Sequence, residues 1–468
     1  METKNADTAA TDAPAAKTYD SSTWQIRIGS FLVPLAHAAG QNVVMVLGLR
    51  FLTDSLAISA GVAGLMFALI KIYDGLTDPI IGAWSDMSTT RWGRRIPFLL
   101  AGGVAMPLGL AMLFGTPDFG SIIMAQAFVL LAMVIHSTGY TLLTIPGFAM
   151  VVEASSDHKE RTRLMSWRVY GNAVGTLLGT TLPAWMLSRL GTDRSDHLAM
   201  ALVVGGIVFL STLLAVKLLS KAPRTVPKPG QKRGYSIISQ GRMAWANRPF
   251  RTLAIAHFFL LFGTAVSTGA LAYFTRYVLQ AGDGILGTYF LVATIGMVGS
   301  MPIWVRVSDK ITKKWAYILA MALFGAVKFS WMFAQTGESV QLVAVRGLFA
   351  GFSGGGMILC AYALLSDAVR YDFVRNGERR EGAFAGFTTL LDKMSSAVAP
   401  AAMGIFLSAM GYVSSTDGGS VEQGPDALMA IRICVTILPA LAMGAAILVM
   451  SRYDLDPAKH IEPEETAA

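Results

Sequence analysis

Apolar residues gather into runs of membrane-crossing length, separated by short polar breaks, along almost the whole chain. A helix of about 20 apolar residues crosses the hydrocarbon core of a bilayer. Twelve runs are long enough: 28–52, 61–85, 96–115, 121–150, 166–188, 197–219, 252–279, 286–306, 315–334, 340–365, 384–410 and 426–450. Only residues 220–251 interrupt the rhythm for long. The pattern predicts an all-α membrane protein of twelve transmembrane helices in two six-helix halves. Its divisions are a disordered tail at 1–25, an N-terminal half at 26–219, a basic linker at 220–251, a C-terminal half at 252–451 and a second tail at 452–468.

Composition agrees. The 468 residues are 53% hydrophobic and 15% charged, against ~25% charged in an ordinary soluble protein. The placement of the charges sets an orientation. Arg91, Arg94 and Arg95 follow the second run, and Lys159, Arg161 and Arg163 the fourth. Nine lysines and arginines, and no acid, lie from Lys217 to Arg251 after the sixth. Arg306, Lys310, Lys313 and Lys314 follow the eighth, and Arg370, Arg375, Arg379 and Arg380 the tenth. The alternate loops are poor in positive charge, with Arg189 and Arg194 the main exception. By the positive-inside rule both termini are cytoplasmic. The net charge of +8 therefore reports topology and not nucleic-acid binding. Residues 1–22 lack the basic, apolar and small-residue order of a signal peptide, and Cys360 and Cys434 make no disulfide framework.

Charge inside a span is costly and calls for a reason. In the second run Asp74, Thr77 and Asp78 share one helical face, because positions i, i+3 and i+4 are neighbours. Two carboxylates this close repel, and desolvation adds to the cost. At least one must be neutralised, by a proton or a metal cation. A hard cation such as Na⁺ takes oxygen cages of this kind, by analogy with Ca²⁺ and Mg²⁺. Pro79 lacks an N–H, which frees the carbonyl of Gly75 as a further ligand or a hinge. The alternative is that basic residues pair with the aspartates and only hold helices together. Lys71, one turn before Asp74, is the partner at hand.

A faint repeat relates the halves. Ser85-Asp86 with Trp92 recurs as Ser308-Asp309 with Trp315, and Glu160-Arg161 as Glu378-Arg379. Two six-span halves with matching motifs resemble the major facilitator superfamily, whose members hold substrate near the midplane between the halves. A narrower likeness follows from Asp74-x-x-Thr77-Asp78-Pro79-x-x-Gly82 and Arg91-Trp92-Gly93-Arg94-Arg95-x-Pro97. It continues in Gly139-Tyr140-Thr141-x-x-x-Ile145-Pro146, Glu160-Arg161, and Tyr371-Asp372 followed by Glu378-Arg379-Arg380-Glu381-Gly382. These motifs resemble the glycoside–pentoside–hexuronide:cation symporters, the melibiose permease-like family, over about residues 30–450.

The resemblance implies roles. Asp74, Thr77, Asp78 and Thr141 match the family's cation site, with Thr77 in place of an asparagine. Tyr140, Arg168 and Lys393 match residues of the substrate pocket. The family's two sugar-clamping acids are absent. The position on span 4 is Thr144, and the one on span 1 falls at or near Ala38, beside Gln41 and Asn42. Phe148 replaces a sugar-stacking tryptophan. A pocket with Arg168 and Lys393 but no such acids suits an anion better than a neutral sugar, although Asp392 beside Lys393 is placed to neutralise it. The reading is a bacterial inner-membrane symporter of a glycoside, uronide or related organic anion. It works as a monomer in the lipid bilayer, with Na⁺ or H⁺ as coupling ion and no other cofactor. A lysolipid or amphiphile carrier is the second reading, and a non-transporting sensor or scaffold the third.

Asp86 and Asp309, at the basic ends of spans 2 and 8, suit gating salt bridges with Arg94, Arg95 or the loop containing Arg379. Arg276, Lys328, Arg346 and His136 fall within or near apolar runs, where long cationic side chains snorkel. Gly351 to Gly356 lacks the Lys-Ser/Thr of a phosphate loop, and Gly171, Gly175 and Gly179 repeat at close-packing spacing. No nucleophile–base constellation points to an enzyme. No soluble segment is large enough for an ATPase, so any energy comes from an ion gradient or from the substrate's own.

Overall fold

The computed structural model describes residues 24–154, 158–220, 242, 244–377, 381–416 and 421–455. Twelve long helices account for nearly all of them. In the first half they are α1 (Trp24–Asp54), α2 (Ala60–Met87), α3 (Ile96–Phe114), α4 (Ile122–Glu153), α5 (His158–Leu190) and α6 (Arg194–Leu219). In the second they are α7 (Arg248–Val278), α8 (Asp283–Ile311), α9 (Lys313–Phe333), α10 (Val340–Asn376), α11 (Glu381–Ala409) and α12 (Pro425–Ser451). Eleven are long and apolar enough to cross a membrane. The exception is α5, whose first three turns carry Lys159, Glu160, Arg161, Arg163 and Arg168.

Two boundaries shift from the hydropathy reading. Trp24 and Gln25 already belong to α1, and α7 starts at Arg248, inside the predicted linker. The start of α7 has a local cause. Asn247 adopts an extended backbone and accepts the Phe250 N–H at 3.0 Å, and Pro249 needs no donor in the first turn. Most of the predicted linker and of both tails lies outside the described residues.

Packing repeats between the halves. In the first, α1 packs on α5 and α6, α3 on α4 and α6, and α2 on α4. In the second, α7 packs on α11 and α12, α9 on α10 and α12, and α8 on α10. The halves meet along α2–α11 and α5–α8. These seams tighten at the end away from the Arg-rich loops. There Gly61 approaches Ser408, and Gly284 approaches Ser188. At the Arg-rich end, every salt bridge among the described residues stays within one half. The helix that begins each half also carries one π-helical turn, Val44–Gly48 in α1 and Phe274–Val278 in α7, facing the tight end.

The glycine spacing does serve close approach. Gly171 of α5 lies against the Phe31 carbonyl of α1, and Gly351 of α10 against the Ala293 carbonyl of α8. A side chain at 351 has nowhere to go, whereas nothing lies within 4 Å of a Cβ at Gly354. Gly351→Val is expected to cost about 1–3 kcal/mol, the usual range for overpacking, and Gly354→Val far less. Melting of the two detergent-purified variants, followed by size-exclusion fluorescence, tests the contrast. Equal midpoints would remove the close-packing account.

Candidate functional site

Helices α2 and α4 run side by side in one register, and the register is written in side chains. Asp74 of α2 accepts a hydrogen bond from Ser137 of α4, and Asp78 accepts one from Thr141 at 2.9 Å. The offset is 63 residues in both cases, so one helical turn on α2 matches one on α4. The other oxygen of each carboxylate meets a lysine. Lys71 donates to Asp74 at 2.8 Å, and Lys393 of α11 is ion-paired with Asp78. Asp74 is 1% exposed. Two carboxylates and two ammonium groups sum to no net charge, which is how the membrane interior tolerates them.

This arrangement places lysines where the sequence pointed to a cation. Of the two open alternatives, the ion pair is the one with a structural counterpart, Lys71 being the partner of Asp74. Thr77 is turned away from the carboxylates and donates to the Tyr73 carbonyl at 3.0 Å. The helix stays continuous through Pro79. Ser137 was not among the expected residues. Its spacing of four from Thr141, equal to that of Asp74 and Asp78, was the available signal.

The substrate candidates divide. Arg168 lies over the Phe148 ring at 5.0 Å, and its buried Nη1 has no hydrogen-bond partner among the described residues. Tyr140 packs edge-on to His37, with centroids 5.7 Å apart, and the Lys71 ammonium lies 5.9 Å from its ring. Thr144 donates back to the Tyr140 carbonyl at 2.8 Å. Gln41 lines a cavity together with Lys71, His136 and Ser137. Lys393 belongs with the aspartates: its charge is taken by Asp78, while neighbouring Asp392 faces His257 at 3.5 Å. Arg168 is thus the cation left to meet an anion. His37, adjacent to the Ala38 position, is a further polar group that the sequence reading passed over. Lys328 and Arg346 do not line the cavity. Lys328 donates to the Tyr289 hydroxyl at 2.9 Å, and Arg346 pairs with Glu338 over the Trp331 ring.

The gating residues are also redistributed. Arg95 bonds Asp86 at 3.0 Å, and both Arg94 and Arg95 reach Glu153 at 2.5 Å. Among the described residues that cluster ties α2 to α4 and to the loop between α2 and α3, all in one half. Asp309 makes no ion pair among the described residues. Lys313 instead holds Asp367 at 2.8 Å. Arg379 lies outside the described residues. Besides the Asp78–Lys393 pair, a second set of contacts bridges the halves, at the opposite end. Arg50 of α1 grips Asp283 at the start of α8 with contacts of 2.5 and 3.0 Å. Asp54, one turn on, accepts from Thr53, Tyr277 and Tyr412 at 2.7, 2.8 and 2.5 Å. Backbone bonds from Ser415 to Thr53 and from Ala57 to Ser415, both 2.8 Å, complete this latch. The sequence reading missed it, although Arg50 and Asp54 stand four apart at the end of an apolar run.

Residues 29–457 match the family described as MFS/sugar transport protein. The chain belongs to this sugar-transport family of the major facilitator superfamily. The transporter is 25% identical to the inner membrane symporter YicJ of Escherichia coli K12, across 89% of its own chain and 88% of that one. It is 23% identical to a glucuronide carrier protein homolog of the same organism, across 94% of each chain. A solved structure of a bacterial homolog to the human lysosomal transporter Spinster, inward-facing and unoccupied, superposes with a TM-score of 0.67. That superposition covers 94% of this chain and 97% of the other at 16% identity, a likeness of fold alone. The motif resemblance to glycoside–pentoside–hexuronide:cation symporters therefore holds, and the chain is a transporter rather than an enzyme.

Proposed function

We propose that this transporter carries a glycoside, hexuronide or related organic anion by symport with Na⁺ or H⁺, through alternating access. The observation that carries the reading is the aspartate ladder at the seam between the halves. Lys71 and Lys393 hold the two carboxylates. A cation that binds Asp74 and Asp78 displaces one of these ammonium groups. Released Lys393 then adds its charge to that of Arg168, and the pocket gains affinity for an anion. Because coupling is reciprocal, bound substrate tightens the cation in turn, typically by 5–150-fold. The basic loops and the relative named as an inner membrane symporter support a plasma-membrane location with both termini cytoplasmic.

Arg168 decides the class of cargo. Losing a hydrogen bond to a charged group costs about 1.5–3 kcal/mol, so Arg168→Gln is expected to weaken uronide binding at least about tenfold and neutral glycoside binding much less. Thermal-shift titration of detergent-purified protein measures this, using uronides, neutral glycosides, other organic acids and lysolipids, with and without Na⁺ at two pH values. A shift that grows with Na⁺ supports a sodium symporter, and one that follows pH alone a proton symporter. Stabilisation by lysolipid alone would overturn the glycoside reading.

A further inference from the structure

A second group of titratable side chains stands beside the aspartate ladder, in the other half. His257 of α7 places Nε2 3.5 Å from Asp392 Oδ1 of α11, and Nδ1 3.4 Å from the Tyr317 hydroxyl of α9. Tyr317 is fully buried, and Cys360 of α10, also buried, is close enough to act on it electrostatically. Asp392 keeps 52% of its side-chain exposure and His257 19%, so water reaches both. The pair faces the passage between the halves. Ala265, two turns after His257, and Ser396, one turn after Asp392, line the cavity that also holds Gln41 and Lys71, and such spacings keep residues on one helical stripe. Lys393 is next to Asp392 in the chain but is paired with Asp78. Among the described residues, His257 and Asp392 make no other side-chain hydrogen bond or ion pair.

This geometry suits an imidazole that gains and loses a proton. Neutral His257 donates Nε2–H toward Asp392 and accepts from Tyr317 at Nδ1. Charged His257 keeps the first contact, and the hydroxyl turns to accept from Nδ1–H. Neither state leaves a ring nitrogen without a partner. Histidine is also the side chain whose charge ordinarily changes between about pH 5 and 8. Unprotonated, the dyad carries the negative charge of its carboxylate; protonated, it is neutral in sum. Tyr140 lies within electrostatic reach of both Asp392 and Arg168, so that negative charge is felt where Arg168 would hold an anion. We propose that the His257–Asp392 dyad is a second ion site, distinct from the ladder, which takes up one proton from the passage and thereby admits an anionic substrate. The proton completes the imidazolium, and no other bond changes. Its loss restores the negative charge and expels the anion. The inference rests on the anion reading above and adds a proton to the ion on the ladder. His37 and His136, the other histidines near the passage, pair with no carboxylate among the described residues.

Calorimetric titration of the full chain in detergent tests this, with methyl glucuronide as the anionic probe and methyl glucoside as the neutral one. Saturating Na⁺ is present throughout, and the pH runs over the imidazole range, from about 5.5 to 8. The glucuronide stays ionised there, so any pH dependence belongs to the protein. Two buffers of different ionisation enthalpy count the protons taken up on binding. A unit charge about 10 Å from an anion, at an effective dielectric constant of about 20, changes affinity roughly tenfold. Glucuronide affinity should fall by that factor from the acid to the alkaline limit, with proton uptake on binding, while glucoside affinity stays level. His257→Gln keeps a donor toward Asp392 but takes no proton. It should bind glucuronide weakly at every pH and without uptake. Asp392→Asn should do the reverse, and bind at the alkaline limit as tightly as the parent chain at the acid limit. Equal weakening of both probes in both variants would make the pair structural and overturn the proposal. Proton uptake that survives both substitutions would place the proton on the ladder, which overturns the dyad while the anion reading stands. Failure of the glucuronide to bind at any pH overturns both.

Discussion

Asp78→Asn and Asp74→Asn each abolish accumulation of substrate against its gradient, and Asp78→Asn does so even where Lys393 is replaced with it. The double variant separates coupling from packing. Removing Asp78 alone strands the Lys393 ammonium at the seam between the halves. Breaking a fully buried pair in this way costs about 3–5 kcal/mol. Here both side chains keep 17% of their exposure, so the loss is smaller. Replacing both partners, as in Asp78→Asn with Lys393→Met, removes the stranded charge, and thermal stability should recover. If the pair only held α2 to α11, transport would recover with it. If Asp78 binds the coupling ion, the double variant melts normally, exchanges labelled substrate across proteoliposomes and accumulates none. Recovered accumulation is the outcome that sinks the cation site.

Several features of this molecule are readable in its sequence alone. Runs of apolar residues located twelve helices, because a bilayer sets a minimum length and charge is scarce inside it. Helix ends were less readable. Hydropathy stops where lipid stops, but α10 continues to Asn376 through Asp367, Arg370, Asp372 and Arg375. The aspartates announced themselves by their cost, and Lys71 by its place one turn away. The union of Asp78 with Lys393 was not legible, since it joins residues 315 apart, and Lys393 stood out only through family likeness. The same holds for the latch. Arg50 reaches 233 residues to Asp283, and Asp54 reaches 358 to Tyr412. No local pattern encodes such pairs. What the sequence offered was a motif at the Arg-rich end, whose contacts among the described residues lie within one half.

Arg50→Met should shift the carrier toward the state open on the side of the latch, by more than a hundredfold in the ratio of the two states. Arg50 and Asp283 are 4% and 3% exposed, so the range of about 3–5 kcal/mol for breaking a buried pair applies without discount. The contact spans the two halves, so it exists only while this end is shut. Its loss therefore acts first on the equilibrium between closed and open, and 1.4 kcal/mol is about a factor of ten. Full inversion from 1:99 to 99:1 takes about 5.5 kcal/mol, within reach if Asp54→Leu also strips its acceptor from Tyr277 and Tyr412. Reactivity of Gln41→Cys toward a membrane-impermeant maleimide, added on the latch side, reads the shift. The native cysteines, Cys360 and Cys434, are both buried and give little background. Replacing both partners, as Arg50→Met with Asp283→Leu, should restore much of the thermal stability through apolar packing yet leave the latch ungoverned by charge. Labelling that stays at the parental rate in Arg50→Met, together with a lower melting point, would make the pair a structural staple. Faster labelling with an unchanged melting point is the mark of a gate.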